Sequence, residues 1–479
     1  MSRFSEKCKQ ILEENGTNVY RLANNTGLER TTLQRMITGK RLPHMEFVKQ
    51  FCKELRFCGE EEKQLMELYQ MERIGEGTYR NRQMIHSILN HLEEEPLGLQ
   101  VYTEMEEERP LEQTTALEER GAVWMQVVQV LRRAFREREA SNIYTNFPAD
   151  SPEFFQVLKM LQRSCPQTGA RVCHIICFQT NSRETLTNLK ALYHMVPFVL
   201  SEYMGYASFY CYSRISAGDV GQMMFPYYIV TRQQVLAISG DMKRAILHTE
   251  PQIVQCYQKE AEKLLIHAKS LLHTAQKAED AWEEYSRIVQ ESAVTGVFSP
   301  QPCFRYFLPR ELFLEYVERC PARIREAAEK LTDWWENNRE IQPLEYYTEE
   351  GLRDFMETGK FQAQAASYLP PLSLGERVGV LERFLSEGDK KGYLLREKVR
   401  LPGNVTLELH GRKHVLFIKT DEDGRFFFLD IVESSICEAF EDFAASIVEM
   451  EEVCTPKEQR KFVEALLQEY GNLKSEHSS

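Results

Sequence analysis

The sequence predicts a multidomain chain: an all-α five-helix N-terminal domain, followed by α/β and α+β domains joined by a long helix. Three observations predict it. At 479 residues the chain exceeds what one core usually holds, which points to about three domains. Short amphipathic helical stripes follow one another over residues 4–70. From about residue 138, compact apolar runs alternate with helical ones, as in a layered α/β arrangement. Apolar residues make up 43% and aromatics 11%, enough to build cores and too many for a disordered chain.

Hydropathy and cysteine usage set the compartment. Nothing approaches the roughly 18 uninterrupted apolar residues of a membrane helix. The start, MSRFSEKCKQ, runs into charged helix rather than the apolar core of a signal peptide. A cytoplasmic protein without membrane partners is expected. The 12 cysteines are scattered with no C-x-x-C pair, so they are expected to be reduced and mostly small buried hydrophobes.

Net charge is −13, but it is unevenly spread. Residues 1–57 carry 11 Lys+Arg against 6 Asp+Glu, a net of +5, and the remainder carries 48 against 66, a net of −18. Salt screens charges beyond about 8–10 Å, so the local field governs phosphate contact. A basic head on an acidic body is compatible with DNA contact through the head alone.

Phe4, Cys8, Ile11 and Leu12 share one face of a first helix, which Asn15-Gly16 ends. Val19, Leu22 and Ala23 repeat the pattern after Thr17 or Asn18 as N-cap. Thr26-Gly27 permits a turn with positive φ. Leu33, Met36 and Ile37 form the stripe of the third helix, stopped by Gly39. Pro43 suits a first helical turn, and Phe47, Val48, Phe51, Cys52 and Leu55 make the fourth helix. Leu65, Met66, Leu68 and Tyr69 suggest a fifth.

The third helix carries the chemistry. At 100° per residue, Thr31, Gln34, Arg35 and Thr38 lie opposite its apolar stripe, with Arg30 near the start. That face has no acidic residue. Arg can bind guanine bidentately and Gln can bind adenine. Asn18, opening the second helix, could reach a phosphate, and Lys40 and Arg41 would neutralise others.

Residues 18–41, from Asn18 through Leu22-Ala23 and Thr26-Gly27-Leu28 to Gly39-Lys40-Arg41, resemble the XRE family, the Cro and lambda-repressor-like helix-turn-helix. The resemblance covers about residues 4–70. It implies a lambda-repressor-like fold whose third helix enters the major groove, with base reading by Arg30, Thr31, Gln34 and Arg35. Asn18 stands where that family usually has a phosphate-binding Gln, and Ile37 where an acidic residue is common.

Beyond the head the expected boundaries are 1–71 for the helix-turn-helix domain and 72–137 for a helical acidic linker containing Glu93–Glu95 and Glu106–Glu108. An α/β domain is expected over 138–250, a long helix over 251–295 and an α+β domain over 296–479. In the α/β domain, Tyr206, Phe209, Tyr210, Tyr212, Phe225, Tyr227 and Tyr228 could wall a ligand pocket, and Arg183, Arg214 and Arg232 could hold an anion. Most such aromatics are core. From Val254 to Val289 apolar residues recur every three or four positions, the 3.5-residue repeat of a helix wound on a partner, here a homodimer. Packing within the chain is the competing reading.

A search for catalytic patterns finds no phosphate loop, Rossmann fingerprint, H-E-x-x-H or G-x-S-x-G. Cys173 and Cys177 would share a strand face with His174 pointing away, and His410 and His414 flank a turn at Gly411. No catalytic residue, metal or cofactor is expected. The sequence therefore suggests a non-enzymatic one-component repressor on a double-stranded DNA operator, with regulatory body domains and an unknown small-molecule or peptide effector. Alternatives are a peptide- or protein-responsive regulator, or a DNA-binding head fused to an unrecognised enzyme.

Overall fold

The computed structural model describes residues 2–92, 114–179, 185–200, 205–213, 224–275, 278–308, 310–318, 343–361, 371–387, 392–396, 403–420, 426–450 and 452–477, with isolated positions between. The acidic stretches at 93–95 and 106–108, and Arg183 and Arg214, lie outside them. The chain divides into two compact units, Met1–Gln83 and Met84–Ser479.

The first unit is helical: α1 Arg3–Glu14, α2 Val19–Thr26, α3 Arg30–Ile37, α4 Met45–Glu54 and α5 Gly59–Ile74. The next helix, α6 Glu76–His91, spans the boundary between units. Local chemistry sets the helix ends. The Ser5 N–H donates to the Ser2 hydroxyl at the start of α1, and the Arg21 N–H donates to Asn18 Oδ1 at the start of α2. Gly27 closes α2 at φ 75°, a conformation that excludes most side chains. Phe4, Cys8, Leu22, Leu33, Met36, Val48, Phe51 and Leu65 meet in one core, and the buried Tyr69 hydroxyl donates to the Pro43 carbonyl at 2.9 Å.

The second unit is built on two mixed sheets. Its elements are β1 Thr114–Glu118, α7 Arg120–Arg136, β2 Ser141–Thr145, α8 Pro152–Ser164, β3 Ala170–Gln179, α9 Thr185–Leu200, β4 Tyr206–Ser213, β5 Tyr227–Val230, β6 Val235–Ile238, β7 Arg244–His248, α10 Pro251–His267, β8 Lys269–Ser270 and β9 Leu272–Ala275. There follow α11 Ala278–Glu291, β10 Gly296–Phe298, α12 Arg310–Val317, β11 Leu344–Tyr347, α13 Glu349–Thr358, α14 Leu374–Glu387, β12 Gly392–Leu394, β13 Val405–His410, β14 His414–Thr420, β15 Phe426–Ile431, α15 Ser434–Ile447 and α16 Pro456–His477.

The expected architecture needs correcting here. The chain is not a lambda-repressor-like head followed by separate α/β and α+β domains on a long helix. The helix expected over 251–295 is absent: α10 ends at His267, two short strands follow, and α11 begins at Ala278. The cause is tertiary. Ser270 pairs with Phe209 of β4, Leu272 pairs with Ile431 of β15, and Leu271 between them is fully buried. Closing two sheet edges and burying two leucines outweighs continuing a helix whose Leu264 and Ile266 stay exposed. The two sheets, moreover, share one hydrophobic core: Ile229 and Leu236 of the first sheet belong to the same cluster as Leu409, Phe417 and Leu429 of the second.

The two sheets repeat one strand order. The first runs β1-β7-β6-β5-β2-β3-β4-β8 and the second, from the other end, β9-β15-β14-β13-β10-β11-β12. The pairings match. Parallel β2/β3 and β3/β4 correspond to parallel β10/β11 and β11/β12. Antiparallel β2/β5, β5/β6, β6/β7 and β7/β1 correspond to β10/β13, β13/β14, β14/β15 and β15/β9. A helix follows the first strand of each copy (α7, α11) and another follows the seventh (α10, α15). The second unit thus contains one supersecondary design twice, with β8 as an addition to the first copy.

Candidate functional site

Each unit carries one group of candidate functional residues. In the first, Leu33, Met36 and Ile37 bury one side of α3 and thereby turn its other side outward. Arg30, Thr31, Gln34, Arg35, Thr38, Lys40 and Arg41 are all exposed, as is Asn18. None of the Arg30, Arg35, Lys40 or Arg41 side chains forms an ion pair with a described residue, so their charge is available to an external anion. Two assignments narrow. Asn18 Oδ1 already accepts the Arg21 N–H at 2.9 Å, which leaves its Nδ2 as the donor for a phosphate. The Thr38 hydroxyl donates to the Gln34 carbonyl at 2.8 Å, which leaves it acceptor capacity only. Sequence reasoning missed Tyr20. It is 57% exposed, and the Arg30 guanidinium lies 5.2 Å from its ring centroid. A lone aromatic among basic residues was the available signal.

In the second unit, one ladder row of the second sheet reads Gly392, Glu345, Val297, Glu408, Leu416, Asp430, His273. Row partners project to one face. Three carboxylates therefore share a face largely hidden from water, since Glu408 is 6% exposed and Asp430 is 1% exposed. Each acquires a partner. His410 Nε2 lies 3.2 Å from Glu408 Oε2, and the Tyr285 hydroxyl of α11 donates to Glu408 Oε1 at 3.4 Å. The Cys303 N–H donates to Glu345 at 3.3 Å. Burial, with the Glu408 charge adding to it, pushes the Glu345 carboxyl up to about 7.

Asp430 holds the His414 ring: Nδ1 lies 2.9 and 3.1 Å from its two oxygens. No described residue bonds His414 Nε2. The tight turn Gly411-Arg412-Lys413 sets His414 opposite His410, with Gly411 at φ 54° and Arg412 at φ 63°. A carboxylate that fixes one ring nitrogen leaves the other to exchange a proton. Nearby, Glu284 of α11 is held below the usual carboxylate range by its hydrogen bonds to Arg287. His273, at the edge of the row, is exposed. Among the described residues, no group of three or more His, Cys, Asp or Glu side chains is placed to hold a metal ion.

The aromatic residues proposed as pocket walls do not face one space. Tyr206 and Tyr210 belong to the large core, Phe209 packs with Tyr144 and Val230 on the other face, and the Tyr212 hydroxyl donates to Glu433 at 2.6 Å. Arg232 sits at a hairpin tip and pairs with Glu139. Cys173 and Cys177 share a face, and His174 points away from them into the core, between the Tyr206 hydroxyl and the Phe147 carbonyl, each at 2.7 Å.

No family description matches the chain, and no curated protein is similar to it. Among solved structures it is similar to the polyphosphate kinase of Porphyromonas gingivalis, at 10% identity and a TM-score of 0.23 over 81% of this chain. The chain spans 58% of the length of that protein. A likeness at that score assigns neither fold nor activity.

The functional expectation is corrected in two respects. The non-enzymatic one-component repressor, with its transcription and repression labels, relied on a dimer helix and a separate sensor domain. The structure has neither that helix nor that pocket wall. The expectation of no catalytic residues came from searching contiguous motifs. Strand pairing instead brings together His414 and Asp430 from separate strands, a pattern such a search cannot find. No helix among the described residues is long and apolar enough to cross a membrane.

Proposed function

We propose that this chain joins a duplex-DNA-contacting head, residues 1–83, to an enzyme body, residues 84–479, whose second sheet carries a histidine–carboxylate proton-transfer centre. The observation that carries the reading is the outward side of α3: exposed Thr31, Gln34 and Arg35, flanked by Arg30, Lys40 and Arg41, on a helix whose opposite side is core. The resemblance of residues 18–41 to the Cro and lambda-repressor-like family supports placing that side in a major groove. A net charge of +5 over residues 1–57 supports phosphate contact. On the body, His414 held by buried Asp430 supports acid–base chemistry. A cytosolic setting belongs to the same reading, because the head requires access to DNA.

The test is enrichment of randomised duplexes on the full-length protein, followed by titration of the selected duplex with wild type and Arg35→Ala. A selected consensus and a loss of about 1–3 kcal/mol in the variant are expected. No enrichment, or identical affinity, contradicts the head assignment. For the body, chromogenic esters and phosphoesters are the probe: turnover lost in His414→Gln with DNA binding retained is expected, and no turnover by wild type counts against the enzyme half.

A further inference from the structure

Cys177 of β3 and Cys211 of β4 are direct partners across a parallel strand pair, and their sulfurs lie 3.7 Å apart. Adjacent strands run about 4.8 Å apart, inside the Cα separation a disulfide spans. Cys177 is exposed and Cys211 half-buried, so small oxidants can reach the pair. The surroundings are unusual for inert thiols. The Tyr228 hydroxyl, whose proton is held more tightly by burial and by the charge of both cysteines, is buried without a hydrogen-bond partner among the described residues.

We infer that Cys177 and Cys211 form a dithiol site that peroxides oxidise reversibly to a cross-strand disulfide. One thiol donates to the other's sulfur, so the first proton leaves easily: Cys211 is pulled down to about 7 by the Cys177 hydrogen bond. The Cys211 thiolate attacks one peroxide oxygen, the O–O bond breaks, and hydroxide takes up a proton to leave as water. The resulting sulfenic acid meets the Cys177 thiol, the S–S bond forms, and a second water departs. Each sulfur loses one electron and the peroxide accepts two. This site is independent of the function proposed above.

The experiment treats reduced full-length protein with hydrogen peroxide, blocks remaining thiols with iodoacetamide and maps peptides by mass. A cross-link between the peptides holding Cys177 and Cys211, formed before modification of exposed Cys58 and Cys256 and reversed by dithiothreitol, is expected. In Cys177→Ala, the sulfenic acid on Cys211 should persist for capture by dimedone. Its alkylation rate at pH 7 should fall about tenfold, as the thiolate fraction drops. Separate oxidation of the two sulfurs to sulfinic acid, or reaction at Cys58 and Cys256 alone, overturns the inference. The wild-type cross-link decides the matter even if the variant fails to fold.

Discussion

His174 in the first sheet and Glu345 in the second occupy the same station of the repeated strand order. Each sits on the third strand of its copy, paired with the second strand at Thr145 and Val297 and with the fourth at Ser208 and Gly392. The first row reads Ser208, His174, Thr145, Ile229, Leu236, Leu247, Thr115, and is apolar where the second carries Glu408 and Asp430. The copies share topology and have diverged in chemistry. Acid–base groups concentrate in the second.

Glu345 carries a stability cost that depends on pH. Its carboxyl is raised from 4.5 to about 7, so the folded protein keeps a proton the unfolded chain gives up. Stability is lost as pH climbs from about 4.5 to about 7. Glu345→Gln keeps an oxygen for the Cys303 N–H and removes the loss. Urea unfolding at pH 7.5 should show the variant more stable by about 1–3 kcal/mol, and a less stable variant would refute the assignment.

His174 works in the opposite direction. Burial lowers it to about 4, so below its ordinary value of 6.5 the unfolded chain takes up a proton that the fold refuses. Stability falls as pH drops from about 6.5 to about 4, by at most about 3 kcal/mol from this group. His174→Gln should be less stable at neutral pH, having lost bonds to Tyr206 and Phe147, yet flatter across that window. Parallel profiles for the two proteins would remove His174 as the cause.

Gly351 lies where α13 passes the Pro300 backbone. A Cβ there would collide with the Pro300 carbonyl, and backbone cannot yield as a side-chain tip can. Gly351→Ala should cost about 1–3 kcal/mol and lower Tm. An unchanged melting curve would refute a steric role for Gly351.

The sequence made the head legible because its signals are local. Caps, a glycine at φ 75° and stripes of period 3.6 place Asn18, Gly27, Leu33 and Met36 within a few residues of their causes. The body was legible only in pieces. The run around Val172–Phe178 reads as a strand and is one, but nothing local distinguishes the short strands on either side of Leu271 from the middle of a helix, because the deciding partners are Ser208 and Ile431, far along the chain. The repeated sheet was missed because it is conserved in pairing order and not in residues, as His174 and Glu345 illustrate. The row holding Glu345, Glu408 and Asp430 was missed for a related reason. Its seven members come from seven strands, and a spacing rule sees only one strand at a time.

The central claim is that the outward side of α3 and the basic residues after it meet duplex DNA. The direct measurement is fluorescence anisotropy of full-length protein on a labelled duplex across a salt series, with wild type and the Lys40→Ala, Arg41→Ala double variant. Each lost phosphate contact should reduce the slope of log affinity against log salt by about 1, so a drop of about 2 is predicted. Equal slopes, or no binding at low salt, would contradict the account.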